Sequence, residues 1–379
     1  MKPVNREEIK DISLNSEELS QYARHLALPG FGLEGQLKLK QAKVLVVGAG
    51  GLGSPLLLYL TAAGVGSIGI VDFDTVDSSN LQRQILYTQD DVGKPKAEVA
   101  KEKLTKLNPN VRLEVYNGPF SIENALELVA LYDIIADGTD NFGTRYLIND
   151  ACVLAGKINV YASVFRFEGQ VSVFNYPYPD GTFGPNYRDL HPTPPLPGAV
   201  PNCAESGVLG VLPGLVGCMQ ANEVIKLITG IGTPLVAKLL LIDALSLQLQ
   251  TLQLPLKTKT NIKELKDTAV SCDTPVVKEI SVQEVMELSE QGVDFQLIDV
   301  REASERAAFN IGGISIPLSQ IAKADVLKEE EKMIIFYCQS GIRSAQAIEL
   351  LRAAGVVNNN FYNLKGGIKT WLQEISTKK

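Results

Sequence analysis

From Val44 to Val71 the chain runs for 28 positions without a charged residue. Hydropathy alone would admit a membrane span there. However, seven glycines and Pro55 divide the run, and it parses as strand, glycine turn, apolar helix, short turn and second strand over 43–72. A buried β-α-β unit, apolar on both faces of its strands, accounts for it better. A polar, helical segment is expected before it, from Asn15 to Ala42. After it come a Lys/Glu-rich helix (94–107), a strand (111–117), a helix (121–131) and a strand (133–138). That alternation predicts an α/β fold, an open and mostly parallel sheet with helices on both faces.

The pattern then changes. Residues 176–206 hold eight prolines and no apolar period, and a connection of that length is usually functional or disordered. A small-residue helix (207–228) and two short apolar strands (237–243 and 246–254) follow. Composition turns polar and Lys/Thr-rich over 256–275, which reads as a linker. A second αβ unit starts near Val276, with strands at 295–300 and 332–338 and a helix at 343–355. The chain therefore divides into a domain over 1–255, a linker over 256–275 and a smaller domain over 276–379. There is no internal repeat or low-complexity tract.

Composition narrows the possible partners. The 379 residues are 45% hydrophobic and 21% charged, with net charge −7 and a pI near 5.2. An acidic chain is a poor general partner for nucleic acid, although a local basic pocket for a nucleotide remains open. The start, MKPVNREEIKDIS, has no apolar signal region. The five cysteines include no C-x-x-C pair, so the expectation is a cytoplasmic protein without a disulfide framework and without a membrane anchor. With only His25 and His191 available, neither a zinc set nor a histidine-based triad suggests itself.

The chemistry begins at GAGGLGS (48–54), where Gly48, Gly50, Gly51 and Gly53 follow a strand and open a helix. Glycines let backbone approach phosphates, and the helix N-terminus offers unpaired N–H groups. Asp72, ending the next strand, suits a ribose hydroxyl. These features alone fit NAD, FAD or ATP. Three further segments discriminate: DFDTVDSSNLQRQ (72–84) brings Arg83, VGKPKAE (92–98) brings Lys96, and GTDN (138–141) brings Asp140 to the end of another strand. Hydride transfer needs none of these. Adenylyl transfer needs cations on the triphosphate and a carboxylate for Mg²⁺.

In this order the four motifs resemble the adenylyltransferases of the molybdopterin-synthase and thiamine-synthesis type (MoeB/ThiF), kin to the ubiquitin-activating enzymes. The resemblance covers about residues 19–254. It implies a Rossmann-like sheet, ATP and Mg²⁺, and formation of an acyl-adenylate on the C-terminal Gly-Gly of a ubiquitin-like sulfur carrier. Matched by position, Asp72 would bind ribose, Asn80, Arg83 and Lys96 the phosphates, and Asp140 the Mg²⁺ beside Asn141. Asp140 has an alternative reading as a helix N-cap. Asp74 and Gln84 serve either the site or its scaffold. Arg24, in QYARH, matches an arginine supplied across a homodimer interface. Cys203, in VPNCAESGV, lies in the segment that in the family crosses the adenylate site, and is the candidate acyl-transfer or release thiol. Many members carry two C-x-x-C pairs that hold zinc. Here Asn186 and Asp189 stand at the first pair and no second pair exists, so no zinc is expected and the loop must be ordered otherwise or remain mobile.

Residues 276–379 resemble a single-domain rhodanese through LIDVRE (297–302), GGISIPL (312–318), YCQSGIRS (337–344) and LKGGIKTW (364–371). Cys338 ends a strand, and Arg343 follows as a helix starts. Loop amides, helix dipole and arginine would together favour an anionic sulfur. The loop is one residue shorter than that of the phosphatases built on a related cradle, which fits sulfur better than phosphate. Arg301 and Glu305 read as fold-stabilising ion pairs, Cys152 and Cys218 as packing residues, and Cys272 as inert. Together the two domains imply one sequence. A persulfide on Cys338, loaded by a persulfide donor protein, attacks the acyl-adenylate, and reductive release leaves a carrier thiocarboxylate. The rival readings are a rhodanese domain that only docks, an NAD-linked oxidoreductase, and a scaffold. Molybdopterin synthesis is the favoured pathway, with thiamine and tRNA thiolation as alternatives.

Overall fold

The computed structural model describes residues 13–195, 207–266, 277–323, 333–354, 356 and 360–377. They form two compact units, the first reaching residue 266 and the second beginning at residue 277. Cys203 and Cys272 lie outside the described residues.

The uncharged run is the centre of the first unit. Strand β1 (Lys43–Val47) and β2 (Ser67–Val71) pair in parallel, Val44 opposite Ile68, and the helix Gly53–Ala63 crosses between them. The sequence is apolar on both strand faces because helices cover both. Val44 and Val46 face one apolar cluster, and Leu45 and Val47 another. Strands β3 (Arg112–Tyr116), β4 (Ile134–Asp137), β5 (Ile158–Phe165), β6 (Glu168–Phe174), β7 (Lys238–Asp243) and β8 (Gln248–Gln253) complete a sheet of order β3-β2-β1-β4-β5-β6-β7-β8. Pairing is parallel from β3 through β5 and antiparallel from β5 to β8. The strand order reverses between β1 and β4, which opens a crevice at their carboxyl ends.

The helix Val211–Thr229 is long and apolar enough to cross a membrane by length and composition, with no other such helix among the described residues. Its Leu212, Val216, Val224 and Ile228 are buried, and it packs on β5, β6 and the helix Gly53–Ala63. Gln220 on its inner face donates to the carbonyls of Asp137 and Val160, both at 2.8 Å, which ties it to β4 and β5.

The proline-rich stretch is ordered, up to Pro195, by side-chain hydrogen bonds. Asn186 caps the short helix Tyr187–Leu190 and donates through Nδ2 to Thr258 Oγ1 (2.8 Å) and to Thr260 Oγ1. The carboxylate of Asp189 accepts from Thr258 Oγ1 (2.7 Å) and from the Lys259 amide (2.9 Å). Arg188 adds a two-pronged pair with Asp150, 2.7 Å on each arm. This polar knot fastens 186–189 to 258–260, the far end of the unit.

The second unit is a five-stranded parallel sheet. Its strands are β9 (Lys278–Ile280), β10 (Phe295–Asp299), β11 (Ile314–Ser315), β12 (Met333–Tyr337) and β13 (Phe361–Leu364), in the order β11-β10-β12-β13-β9. Alternate residues of β12 feed opposite apolar layers: Ile334 and Phe336 on one side, Ile335 and Tyr337 on the other. Arg301 is 2% exposed and bidentate to Asp299 (2.9 and 2.7 Å), the ion pair expected of it.

Candidate active sites

In the first unit the crevice holds a cavity of about 180 Å³ at the carboxyl ends of β1, β2 and β4. The glycine turn forms one wall. Gly48 has φ +95°, and a Cβ there would come within 2.7 Å of the Gly138 carbonyl, so only glycine lets the two strand ends approach this closely. Asp72 fastens the turn from the next strand: its carboxylate accepts from the amides of Ala49 (2.7 Å) and Asp74 (2.9 Å). Burial pushes this carboxyl up, and the two amides oppose the shift.

Ten of the residues expected at the nucleotide line this one cavity: Gly48, Gly50, Gly51, Asp72, Asp74, Arg83, Gln84, Lys96, Asp140 and Asn141. Lys96 is 5% exposed at the start of the helix Lys96–Leu107 and is held by Asp74 Oδ2 at 2.9 Å. Asp74 therefore belongs to the cavity wall and positions a cation as well. Arg83 donates to the Ser79 carbonyl at 3.0 Å and lines the cavity wall, its Cδ 3.8 Å from where a Cβ on Gly51 would stand. Gln84 is buried with its Oε1 unpaired. A buried amide oxygen without a partner is costly unless something occupies the space it borders. Val47, Val71, Phe73 and Phe120 give the cavity an apolar part suited to a base.

The competing reading of Asp140 as a helix cap is corrected: Asn141 caps the helix Phe142–Ala155, accepting from the Thr144 amide at 2.8 Å. Asp140 is left exposed at the cavity wall. Three expected residues do not line the cavity. Gly53 is buried, and a Cβ on it would stand 1.9 Å from the Gly48 carbonyl, so it is needed for helix-to-turn packing. Asn80 spends its side-chain oxygen on the Asp77 amide (3.2 Å), closing the turn that presents Arg83. Arg24 stands exposed on the helix Ala23–Leu26, and its expected role is toward a partner subunit's cavity.

Of the cavity residues that sequence reasoning did not name, Arg145 is the one that carries a charge. Arg145 is 6% exposed, with its guanidinium carbon 5.3 Å from the Tyr161 ring centroid and 5.6 Å from that of Phe142. It donates to the Thr139 carbonyl at 3.2 Å, and its Nε stands 3.8 Å from Asp137 Oδ2. Neither of those last two atoms has a hydrogen-bond partner among the described residues. Burial pushes Asp137 up while Arg145 pulls it back down. An isolated arginine inside the apolar stretch FGTRYLINDACVLA, one turn after the cap, was the available signal.

In the second unit Cys338 is fully buried at the end of β12, below the loop that leads into the helix Ile342–Ala353. Its Sγ accepts from the Gly341 amide at 3.2 Å and from Ser344 Oγ at 3.4 Å. Gly341 has φ +91°, the left-handed turn that aims its N–H inward. Arg343 stands close enough to Cys338 for its charge to act there, and it has a second partner. Its guanidinium is bidentate to Glu305, at 2.7 and 2.6 Å, so its charge is matched by a carboxylate and not presented bare to the sulfur. Glu305 is thus an ion pair of the active loop itself. Cys152 is fully buried, its thiol pushed well up by burial, and Cys218 is half-buried. Among the described residues no group of three or more His, Cys, Asp and Glu could hold a metal ion.

Comparison with known proteins accords with this geometry. Residues 22–263 match the ThiF family and residues 281–374 the rhodanese-like domain. A probable adenylyltransferase/sulfurtransferase MoeZ of Mycobacterium tuberculosis (strain CDC 1551 / Oshkosh) is 45% identical over 377 residues, covering 96% of this chain and 95% of its own. A sulfur carrier protein adenylyltransferase of Thermus thermophilus is 56% identical over 229 residues, 60% of this chain and 84% of its own. A probable molybdopterin-synthase adenylyltransferase of Porphyra purpurea is 39% identical over 372 residues, covering 96% and 95%. Among solved structures, E. coli MccB aligns with TM-score 0.55 at 24% identity over 64% of this chain and 74% of its own, a likeness of fold. The chain belongs to the ThiF family, carries a C-terminal rhodanese-like domain, and is an adenylyltransferase and sulfurtransferase.

Proposed function

We propose that the first unit uses ATP to adenylylate the C-terminal glycine of a ubiquitin-like sulfur carrier, and that Cys338 delivers sulfur to the activated carboxyl. The observation that carries this reading is the convergence of Arg83, Lys96, Asp72 and Asp140 on a single cavity at the strand-order reversal. Arg83 and Lys96 are placed to hold phosphate oxygens and stabilise charge developing on them. Asp72 orients the ribose, and the apolar wall takes the base. Asp140, relieved of capping by Asn141, suits Mg²⁺, which when bound would neutralise phosphate charge. The buried, unpaired oxygen of Gln84 gains a partner when a nucleotide fills the space.

The carrier carboxylate displaces pyrophosphate from ATP and becomes an acyl-adenylate. The Cys338 persulfide then attacks the acyl carbon, AMP leaves, and an acyl disulfide forms. A thiol breaks that disulfide and releases the thiocarboxylate. Cys203 is the candidate for this release or for acyl transfer, and the disulfide left on Cys338 is then reduced by an external thiol. Relatives named for molybdopterin-synthase adenylylation and for sulfur-carrier adenylylation support a carrier of this class, with molybdopterin synthesis the favoured pathway. A homodimer would bring Arg24 to the partner's cavity, a persulfide donor protein would load Cys338, and the cytoplasm is the expected compartment.

The test mixes the protein with candidate carriers, ATP, Mg²⁺ and a sulfane sulfur source, and follows pyrophosphate exchange and carrier mass. Carrier-dependent exchange with replacement of one carrier oxygen by sulfur is expected. Exchange without thiocarboxylate would reduce the second unit to a docking module. Absence of exchange with every carrier of this class would remove the adenylylation reading.

A further inference from the structure

In the persulfide loop of the second unit the one arginine is matched by a carboxylate. Cys338 Sγ is held by two uncharged donors, the Gly341 amide and the Ser344 hydroxyl. The loop cation, Arg343, is gripped by both oxygens of Glu305. The pair is about one-third exposed, 34% for Arg343 and 35% for Glu305, so it forms part of the surface an incoming molecule meets. Glu305 is itself anchored as the third residue of the helix Ala303–Ala308, where its Oε2 also accepts from the Glu302 amide at 3.1 Å. That second bond fixes the carboxylate independently of the arginine. The Arg343 guanidinium beside it holds the Glu305 carboxyl at about 2, so the carboxylate keeps its charge through the neutral range.

The nearby arginines are occupied. Arg301 is spent on Asp299 and on the carbonyls of Glu305 and Phe309. Arg306 is spent on Asp299, the Gly312 and Gly313 carbonyls and Tyr337. Lys369, whose backbone amide bonds the Gln339 carbonyl, carries an exposed side chain. Glu302 adds a further negative charge near Arg343.

We infer that Glu305 is a positioning residue that sets donor specificity: by engaging Arg343 on both arms it cancels the loop's positive charge, so that the Cys338 cradle selects singly charged sulfane donors over doubly charged ones. The inference rests on the proposed reading of Cys338 as the sulfur carrier. In the loading step the Cys338 thiolate attacks the outer sulfur of the donor. A new S–S bond forms, the donor's bond to that sulfur breaks, and the leaving group departs with the electron pair. Thiosulfate releases sulfite, and methanethiosulfonate releases methanesulfinate. Cyanide then removes the outer sulfur as thiocyanate and restores the thiolate, so no external oxidant or reductant enters.

These two donors carry the same reactive sulfur and differ by one unit of charge, and they are the probes. The full-length protein and its Glu305→Gln, Arg343→Gln and doubly substituted variants are assayed with each donor at one ionic strength. The readout is the ratio of kcat/KM for thiosulfate to that for methanethiosulfonate. Removing one unit charge beside a charged ligand at a partly exposed site should change this ratio roughly 3- to 10-fold. Glu305→Gln is expected to raise it, chiefly through KM for thiosulfate, and Arg343→Gln to lower it. The double variant, whose net charge equals that of the natural pair, returns the ratio toward its starting value. Equal losses with both donors in both single variants would mean that the pair merely supports the fold, and would overturn the inference while leaving Cys338 as carrier. If neither donor adds a sulfur atom to Cys338 of the natural protein by mass, the carrier reading fails and the inference with it.

Discussion

Replacing Arg145 by Met should cost the first unit much of its stability at neutral pH, and the cost should depend on pH. Methionine retains contact with the Tyr161 and Phe142 rings but abandons Asp137, which is fully buried with Thr139 as its remaining side-chain partner. A buried carboxylate without its cation takes up a proton instead of remaining charged. Starting from an ordinary aspartate value near 3.9, protonation at pH 7 costs about 4 kcal/mol, at roughly 1.4 kcal/mol per pH unit. That figure is a ceiling, and it agrees with the ~3–5 kcal/mol seen when one partner of a buried pair is removed. The sign follows directly. Burial already holds Asp137 above its unfolded value in the natural protein; the variant raises it further, so the added penalty grows with pH from the natural protein's value until the variant's is reached. The ceiling is about 2 kcal/mol at pH 5.5 and about 5–6 kcal/mol at pH 8. Scanning calorimetry reads the result, since for a unit of this size about 4 kcal/mol corresponds to roughly 8–16 °C in Tm. Adding Asp137→Asn, which removes the titrating group, should recover most of the loss and flatten the pH dependence. A penalty below about 1 kcal/mol at pH 7, or one equal at pH 5.5 and pH 8, would refute the reasoning.

Four further outcomes follow from the same geometry. Lys96→Ala and Arg83→Ala should each lower carrier-dependent pyrophosphate exchange about 100-fold or more while the protein stays folded, as loss of a preorganised charge at a developing anion does. Cys338→Ala should abolish thiocarboxylate formation and leave pyrophosphate exchange intact, which separates the two half-reactions in one variant. Asn186→Ala should destabilise the first unit by about 1–3 kcal/mol in urea denaturation, because Thr258 and Thr260 lose their donor and the Arg188 turn its cap, while a zinc chelator leaves the natural protein's midpoint unchanged. For Glu305, whose folded value is depressed, the pair's contribution is present above the ordinary glutamate range and fades as pH falls toward about 2. Being one-third exposed, it should amount to under about 1 kcal/mol, read as the Tm difference between natural protein and Glu305→Gln at pH 7 and pH 3.

The parallel half of the first sheet was legible because an uncharged run broken by glycines has few other solutions in water. Of the antiparallel half, β7 and β8 were expected, at 237–243 and 246–254, while β5 and β6 were not. Strands β5 and β6 and the helix Phe142–Ala155 follow one another over 142–174 with polar residues such as Asn159 and Ser172 placed inside, so their apolar period is interrupted. The cavity was legible where its residues follow a local rule: glycines at a turn, an acid at a strand end. What stayed hidden was set by partners distant in sequence. Arg343 and Glu305 lie 38 residues apart, and no local pattern says that they neutralise one another. Arg145 acts on rings supplied by β5 and by its own helix. The division of labour between Asp140 and Asn141 turned on one residue of helix register.

The knot of Asn186, Asp189, Thr258 and Thr260 has a chemical consequence for a sulfur-handling protein. Thiolates bound to zinc can be oxidised by sulfane sulfur, the cargo of a persulfide enzyme, and a staple made of them would be exposed to its own traffic. Amide, hydroxyl and carboxylate groups are inert to that cargo. The closure at the far end of the domain is therefore built of groups that endure turnover in its own reagent.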